Sequence, residues 1–99
     1  MKLGMFGINR AEKEKERFDK ELEDLINALL KMNNRQKMRD FLEGILTPKE
    51  LIELPNRLEI VRMLKRGVSH HDIAGKLGVG VATVGRGSRE LQKGRFKYI

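Results

Sequence analysis

Apolar residues recur at helical spacing along most of the chain, and no segment shows the strict alternation typical of a β-strand. The longest pattern is an apolar stripe at i, i+4, i+7, i+8 and i+11, formed by Phe18, Leu22, Leu25, Ile26 and Leu29. Its opposite face is rich in Glu and Lys, which can pair at i, i+4 spacing. We therefore predict an amphipathic helix over residues 11–32, and an all-α fold for the chain.

The middle of the chain holds a signal for the end of one helix and a signal for the start of the next. Residues 36–42 predict a short second helix, and Gly44 stands where a glycine would end it. A third helix is predicted to begin soon afterwards, because Thr47 and Glu50 form a capping box with Pro48 at the first helical position.

Pro55 lies well inside this third helical pattern. Proline lacks an amide hydrogen, and its ring clashes with the preceding turn. We therefore predict a kink, or a break near Leu54 with Pro55 opening a new helix that runs to Gly67.

A helix, a sharp glycine turn and a second helix follow in the last third of the chain. Ser69 and Asp72 predict a capping box, which opens a helix over residues 70–77. Gly78 can turn the chain in the left-handed region, and a final helix is predicted from about Val81 to Lys93. This order is a helix-turn-helix, in which the second helix enters the major groove of DNA.

The first turn of the final helix holds the candidates for base contacts. Val81 and Ala82 can contact thymine methyl groups, and Thr83 can hydrogen-bond to a base or a phosphate. The candidates for phosphate contacts are Arg62, Lys65, Arg66, Lys76, Arg89 and Lys93. A plain helical hairpin inside a bundle is the alternative, and it explains the apolar packing but not the charge.

The charge is distributed unevenly. The formal net charge is +7, yet residues 1–56 hold equal numbers of basic and acidic residues, so all of the excess lies in residues 57–99. A basic half beside a neutral half favours a surface that faces a polyanion over a merely solubilising face.

Several function classes are excluded or disfavoured by composition. The chain has no cysteine, so it forms neither disulfides nor thiolate metal sites. Adjacent helical residues point in different directions, so His70 and His71 do not suggest a metal site. No catalytic constellation is recognisable, and we predict a protein that is not an enzyme and requires no cofactor.

The expected organisation is one small domain. We predict a flexible tail over residues 1–10 and a single domain over residues 11–99, with dimerisation helices in residues 11–45 and the helix-turn-helix part in residues 46–94. The first two helices have more apolar face than the remainder can cover, which favours a homodimer. No secretory signal or membrane span is evident, so we expect a soluble, cytoplasmic protein without a membrane partner.

About half of the chain, from Leu46 to Gly94, resembles the bacterial Trp repressor family. The matching blocks are LTPKE, NRLEIVRMLKRGVS, LGVGVATVGRGS and the leucine of REL, of which ATVGRGS is the most specific. The resemblance implies a Trp repressor-like helical bundle that forms an intertwined dimer and binds a palindromic double-stranded DNA operator with two half-sites.

The resemblance also implies an L-tryptophan corepressor pocket. Arg57 and Arg86 match the two arginines that bracket the indole and hold the carboxylate, and such guanidinium groups can do both. The remaining matched positions are Leu46 and Thr47 at the amino-group end, Gly87 under the ring, and Glu90, where the family has a serine that helps to hold the ammonium.

The chain departs from the family at several DNA-facing positions. His70 and His71 replace polar and basic residues, Ala74 replaces a lysine, and Gly85 replaces a threonine, while Pro55 replaces a glycine before Arg57. The predicted DNA-binding residues are His70, His71, Lys76, Gly80, Val81, Ala82, Thr83, Gly85 and Arg89.

The function predicted from the sequence is a sequence-specific, repressor-like transcriptional regulator, with L-tryptophan or a similar small ligand as a candidate effector. The alternative is a basic helical dimer that binds RNA or a protein without DNA sequence specificity. Gly85 and Gly87 also weaken the recognition helix, at about 1 kcal/mol each relative to alanine. We therefore predict that this helix is partly disordered in the free protein and that DNA or a ligand orders it.

Overall fold

The computed structural model describes residues 9–99, and most of the predicted flexible tail lies outside this range. The described residues form helices and no strand, which confirms the all-α prediction. The helices are α1 (Arg10–Lys31), α2 (Arg35–Ile45), α3 (Pro48–Lys65), α4 (His70–Leu77) and α5 (Val81–Gln92). None of these helices combines the length and apolar character needed to cross a membrane.

Helix α1 agrees with its prediction to within one residue at each end. The side chain of Asn9 accepts a hydrogen bond from the backbone N–H of Glu12 at 2.8 Å and caps the first turn. On the exposed face, ion pairs at i, i+4 spacing join Lys15 to Asp19 at 3.1 Å and Lys20 to Asp24 at 3.5 Å.

Helix α2 is longer than predicted. The side chain of Asn34 accepts from the N–H of Lys37 at 2.8 Å, so the helix begins one residue before the predicted start. The prediction that Gly44 ends the helix is wrong, because the helix continues through Gly44 to Ile45. Gly44 does not adopt a positive φ, and an interior glycine lowers helix stability by only about 1 kcal/mol.

Helix α3 begins as predicted and then departs from its prediction. Thr47 and Glu50 form the capping box, with Glu50 N–H donating to Thr47 Oγ1 at 3.2 Å and Thr47 N–H donating to Glu50 Oε1 at 2.8 Å. Of the two alternatives predicted at Pro55, the break near Leu54 is wrong, because α3 runs continuously through Pro55, and the kink stays a prediction. Proline removes one backbone donor, and the buried residues downstream anchor the second half of the helix by packing.

The chain divides into two compact units, Met1–Gly44 and Ile45–Ile99. In the described part of the first unit no residue of its helices is buried. Four of the five residues in the predicted apolar stripe of α1 are accordingly exposed, with Phe18 at 62% of its full accessibility, whereas Leu29 is partly buried. The neighbouring Leu30 reaches 76%.

The second unit contains α3, α4 and α5 and has its own core. Ile73 and Val84 are completely buried, and they pack in one cluster with Ile60, Met63 and Ala74. Four partly buried residues extend the cluster, namely Leu64, Val68, Leu77 and Val79. The core therefore joins all three helices of this unit and fixes α4 and α5 against α3.

Candidate nucleic-acid interface

The turn between α4 and α5 has the predicted helix-turn-helix form. Gly78 adopts the left-handed conformation, with φ 67° and ψ 33°. The next amide, of Val79, donates to the carbonyl oxygen of Ala74 at 3.1 Å and closes the end of α4. Gly80 is extended, with φ −73° and ψ 150°, and is the N-cap of α5 as predicted.

The start of α4 is capped by only half of the predicted box. Asp72 N–H donates to Ser69 Oγ at 3.1 Å, but the Asp72 carboxylate does not accept from the Ser69 amide. Aspartate is one methylene shorter than the glutamate of a complete capping box, which explains the missing return bond. His70 and His71 follow this cap and are both exposed. In residues 9–99 no metal-binding group of acidic, His or Cys side chains occurs.

Helix α5 buries one side and exposes the other. Val84 packs in the core, whereas Val81 is 49% exposed and both Ala82 and Thr83 are exposed. Farther along, the side chains of Arg86 and Arg89 are also exposed. Every predicted DNA-binding residue is solvent-accessible, and only Gly85 among them is partly covered.

The N-terminus of α5 has no side-chain cap. Its N-cap, Gly80, provides no side-chain hydrogen bond, and its first turn has no acidic residue. By contrast, the starts of the four other helices are capped by side chains of Asn9, Asn34, Thr47 and Ser69. The first amides of α5, together with the positive end of the helix dipole, are therefore available to an anion.

Some basic residues of the second unit already form hydrogen bonds or ion pairs within the chain. Lys65 was predicted to contact phosphate, but its Nζ donates to the backbone oxygens of Phe96 at 2.6 Å and Ile99 at 2.7 Å. This correction follows from the position of the final residues beside the end of α3. Arg66 lies 3.5 Å from Glu59, and Lys93 forms an ion pair with Glu90 at 3.0 Å.

Other basic residues have no such partner. Among the basic residues of the second unit, six form neither an ion pair nor a side-chain hydrogen bond with another described residue: Arg57, Arg62, Lys76, Arg86, Arg89 and Lys97. Five of these side chains belong to α3, α4 and α5 in exposed positions that can approach a polyanion without first breaking a contact: Arg57, Arg62, Lys76, Arg86 and Arg89.

The first group of candidate ligand residues lies at the start of α3, where Leu46 precedes the N-cap Thr47, and in the third turn of α3, which holds Arg57. The hydroxyl of Thr47 is used in the capping box, and Leu46 is half-buried. The hydrogen bond from the Thr47 amide lowers the pKa of Glu50, and the charge of Arg57 contributes in the same direction. The positive charge of Arg57 thus acts toward the start of α3.

The candidate ligand residues on α5 form a second group. Glu90 has a lowered pKa because Lys93 donates a hydrogen bond to it, with further effects from the charges of Lys93, Arg95 and Arg86. Its carboxylate therefore stays ionised, and it is already paired with Lys93. No side-chain hydrogen bond joins Leu46 or Thr47 to α5 among the described residues.

Gly87 marks the contact between α3 and α5. A Cβ built on it would lie 3.1 Å from Cγ2 of Ile60 and 3.7 Å from Cδ1 of Leu64. Arg57 is one turn before Ile60 on α3, and Arg86 directly precedes Gly87 on α5, so each arginine is a close sequence neighbour of a residue in this contact. The ligand role predicted for Gly87 stays a prediction, and the approach of Ile60 is a sufficient reason for its lack of a side chain.

Sequence reasoning missed the contact between Arg89 and Gly85. A Cβ on Gly85 would lie 3.7 Å from Nη1 of Arg89, so the arginine extends back over the glycine. The i, i+4 spacing was a usable signal, because helical side chains lean toward the N-terminus. The contact of Ile60 with Gly87, by contrast, joins two distant segments and has no local signal in the sequence.

Comparisons with known proteins agree with this arrangement. Residues 20–99 match the family described as Trp repressor protein. A Bacillus subtilis protein, named YerC and described as uncharacterized, is 34% identical over 79 residues, covering 80% of this chain and 76% of that protein.

Two relatives have more informative names. A Trp operon repressor homolog of Vibrio vulnificus is 46% identical over 66 residues, which is 65% of each chain. A Trp operon repressor homolog of Xylella fastidiosa is 36% identical over 76 residues, covering 76% of this chain and 83% of the relative. The family match covers α2 to α5 completely and most of α1. The chain therefore belongs to the Trp repressor family.

Proposed function

We propose that this protein is a sequence-specific regulator of transcription that binds double-stranded DNA. Its recognition helix is α5, with Val81, Ala82 and Thr83 facing base edges. The names of the Vibrio and Xylella relatives support a repressor-like role. The structural observation that carries the proposal is the exposed N-terminus of α5, which has no side-chain cap and directly follows the turn at Gly78.

The physical argument starts from how DNA-binding helices dock. The first turn of a recognition helix meets base edges in the major groove, while backbone amides and basic side chains contact phosphates. Helix α5 begins with amides that Gly80 leaves without a side-chain cap, and it has small or short side chains at its first three positions. Lys76 and Arg62 add positive charge on the neighbouring helices.

We further assign a homodimer that binds a palindromic operator. The exposed apolar stripe of α1 supports it, because a contiguous apolar face of this kind is typical of a protein interface. A two-fold symmetric dimer presents two copies of α5, and a palindrome offers two matching half-sites.

L-tryptophan is our candidate effector, bound beside the contact between α3 and α5. Arg57 is one turn before Ile60, Arg86 directly precedes Gly87, and both are unpaired among residues 9–99, so they can take an indole face and a carboxylate. Glu90 is ionised, and its carboxylate is already paired with Lys93. Binding of the ligand's ammonium therefore exchanges one cation for another at Glu90. This exchange favours weaker tryptophan binding than a neutral serine would allow.

The DNA-binding proposal is tested by placing a negative charge at the start of α5. Gly80→Asp adds a favourable N-cap to α5 but sets a carboxylate against the phosphate backbone. We expect unchanged or higher thermal stability together with at least about a tenfold loss of affinity for duplex DNA. The affinity is measured by fluorescence anisotropy on a duplex recovered by selection from a random pool.

Gln36→Glu is the matched control, because it adds the same charge to the exposed first turn of α2. It should leave DNA affinity within about twofold of the wild type, as expected for a screened charge away from the DNA. Equal losses in both variants would show that only net charge matters and would contradict the role of α5.

The effector assignment is tested by equilibrium dialysis with L-tryptophan. Arg86→Ala and Arg57→Ala should each weaken binding about tenfold or more, since each removes a charged hydrogen bond to the ligand. Arg62→Ala, an exposed arginine on α3, should leave it unchanged. Absence of tryptophan binding by the wild-type protein would remove this effector and leave the DNA proposal standing.

A further inference from the structure

Arg89 does not extend straight out from α5 but lies back along the helix. Its Nη1 atom is 3.7 Å from the position that a Cβ of Gly85 would occupy, which is ordinary van der Waals contact. A side chain at i+4 covers the surface of residue i, because helical side chains lean toward the N-terminus. A side chain that extends beyond Cβ at position 85 would enter the space in which this guanidinium lies, so the position needs a small residue.

Ala82, Gly85 and Arg89 form a stripe along one face of α5, because they are spaced at i, i+3 and i+7. This face is directed away from the core, in which Val84 is completely buried. Ahead of the guanidinium, the only side-chain group on the stripe is the methyl of Ala82. The positively charged, planar guanidinium of Arg89 therefore extends along this stripe toward the N-terminal turn of α5, which holds the candidates for base contacts.

The donors of Arg89 are not used by the chain in residues 9–99. The neighbouring carboxylate of Glu90 instead contacts Lys93 Nζ at 3.0 Å and Arg95 Nε at 3.9 Å. A guanidinium has five N–H donors in a planar fork. In the described chain, those of Arg89 are directed along an exposed helix face without an acceptor.

We infer that Arg89 reads a guanine in each half-site, donating to its O6 and N7 atoms, and that Gly85 sets this preference by making room for the guanidinium. The inference rests on the proposed function and goes further, because it assigns base recognition rather than phosphate contact to Arg89. A phosphate contact needs only positive charge, whereas bidentate guanine recognition needs the arginine fork.

The test compares the base preferences of the wild type and four variants after selection from a random duplex pool. Arg89→Lys keeps the charge but not the fork, so it should lose the guanine preference at one symmetry-related position in each half-site. The expected loss there is about fivefold or more, as for other bidentate contacts. Preferences at the remaining positions should persist.

Two substitutions at Gly85 test how the preference is set. Gly85→Ala should keep the guanine preference, because a Cβ fits at 3.7 Å from Arg89. Gly85→Val adds methyl groups beyond that Cβ, displaces the guanidinium and should lose the same preference as Arg89→Lys. Lys76→Ala is the control for phosphate contacts, and it should weaken binding to all sequences alike.

Two outcomes would overturn the inference. If the wild type enriches a palindrome and Arg89→Lys keeps the guanine preference, Arg89 is a phosphate contact and this inference alone fails. If the wild type enriches no sequence, the proposed function fails with it. Because Arg89 is exposed, Arg89→Lys should fold normally, and its circular dichroism spectrum checks this. The test therefore stands even if Gly85→Val fails to fold.

Discussion

Gly87 and Ile60 are so close that a Cβ on the glycine would lie 3.1 Å from Cγ2 of the isoleucine. This distance is shorter than comfortable van der Waals contact, and Ile60 is buried and cannot move freely. The glycine thus lets α3 and α5 approach each other, at a cost of about 1 kcal/mol in helix propensity. One of the costly glycines in α5 therefore has a packing reason.

Substitution of Gly87 should accordingly differ from substitution of an open helical glycine. Gly75→Ala on α4 has no atom within 4 Å of the new Cβ, so we expect it to stabilise the protein by about 1 kcal/mol. Gly87→Ala should instead destabilise it by up to about 2 kcal/mol, because overpacking outweighs the gain in propensity. Urea unfolding at a fixed protein concentration checks both. Equal stabilisation by the two changes would show that Ile60 yields.

The turn at Gly78 should depend on its left-handed conformation. Gly78→Ala places a Cβ in a conformation that costs roughly 1–2 kcal/mol for most L-residues, although the surrounding space is open. Gly78→Asn, which tolerates this conformation better, should lose less. Thermal unfolding of both variants measures the difference, and equal losses would point to packing rather than backbone strain.

Acid should remove the contribution of Glu50. The pKa of Glu50 is lowered in the folded protein, mainly because the Thr47 amide donates to its carboxylate. This contribution is therefore complete above the ordinary value of 4.5 and is lost as the pH falls through the lower folded pKa. Glu50→Gln can keep the capping geometry without titrating. Its stability should fall less steeply than that of the wild type as the pH drops below 4.5.

The control for this pH series is Glu16→Gln on the exposed face of α1, where Glu16 forms no ion pair with another described residue. Urea midpoints recorded from neutral to acidic pH should follow the wild type for this control. If Glu50→Gln also followed the wild type throughout, the capping box would have no role in acid stability.

Hydrogen exchange tests the prediction that α5 is ordered on binding. Helix α5 contains two interior glycines and lacks a side-chain cap, so its amides should exchange faster than those of α3 in the free protein. Operator DNA should slow exchange in α5 more than in α3. If α5 in the free protein were as protected as α3, packing alone would order the helix and the prediction would be wrong.

The sequence predicted features that depend on local chemistry. The stripe of α1, the box formed by Thr47 and Glu50, and the turn at Gly78 each depend on residues within a few positions of one another. The errors at Gly44 and Pro55 came from the same local signals, because a glycine or proline weakens a helix without always ending it.

The candidate site was less predictable because parts of it depend on distant segments. Lys65 is held by backbone oxygens 31 and 34 residues away, and its spacing in the sequence gives no sign of this. The contact of Gly87 with Ile60 likewise joins two helices. Of these contacts, only that of Gly85 with Arg89 could have been predicted from the sequence, since it follows from the direction of side chains on one helix.

Selection from a random duplex DNA pool, performed in parallel with and without L-tryptophan, tests the central claim most directly. We predict a palindrome with two equal half-sites in at least one arm, and enrichment only with tryptophan would also support the roles of Arg57 and Arg86. Enrichment in both arms would keep the regulator and remove tryptophan as its effector. No enriched sequence in either arm, with binding that simply weakens as salt rises, would contradict sequence-specific DNA recognition.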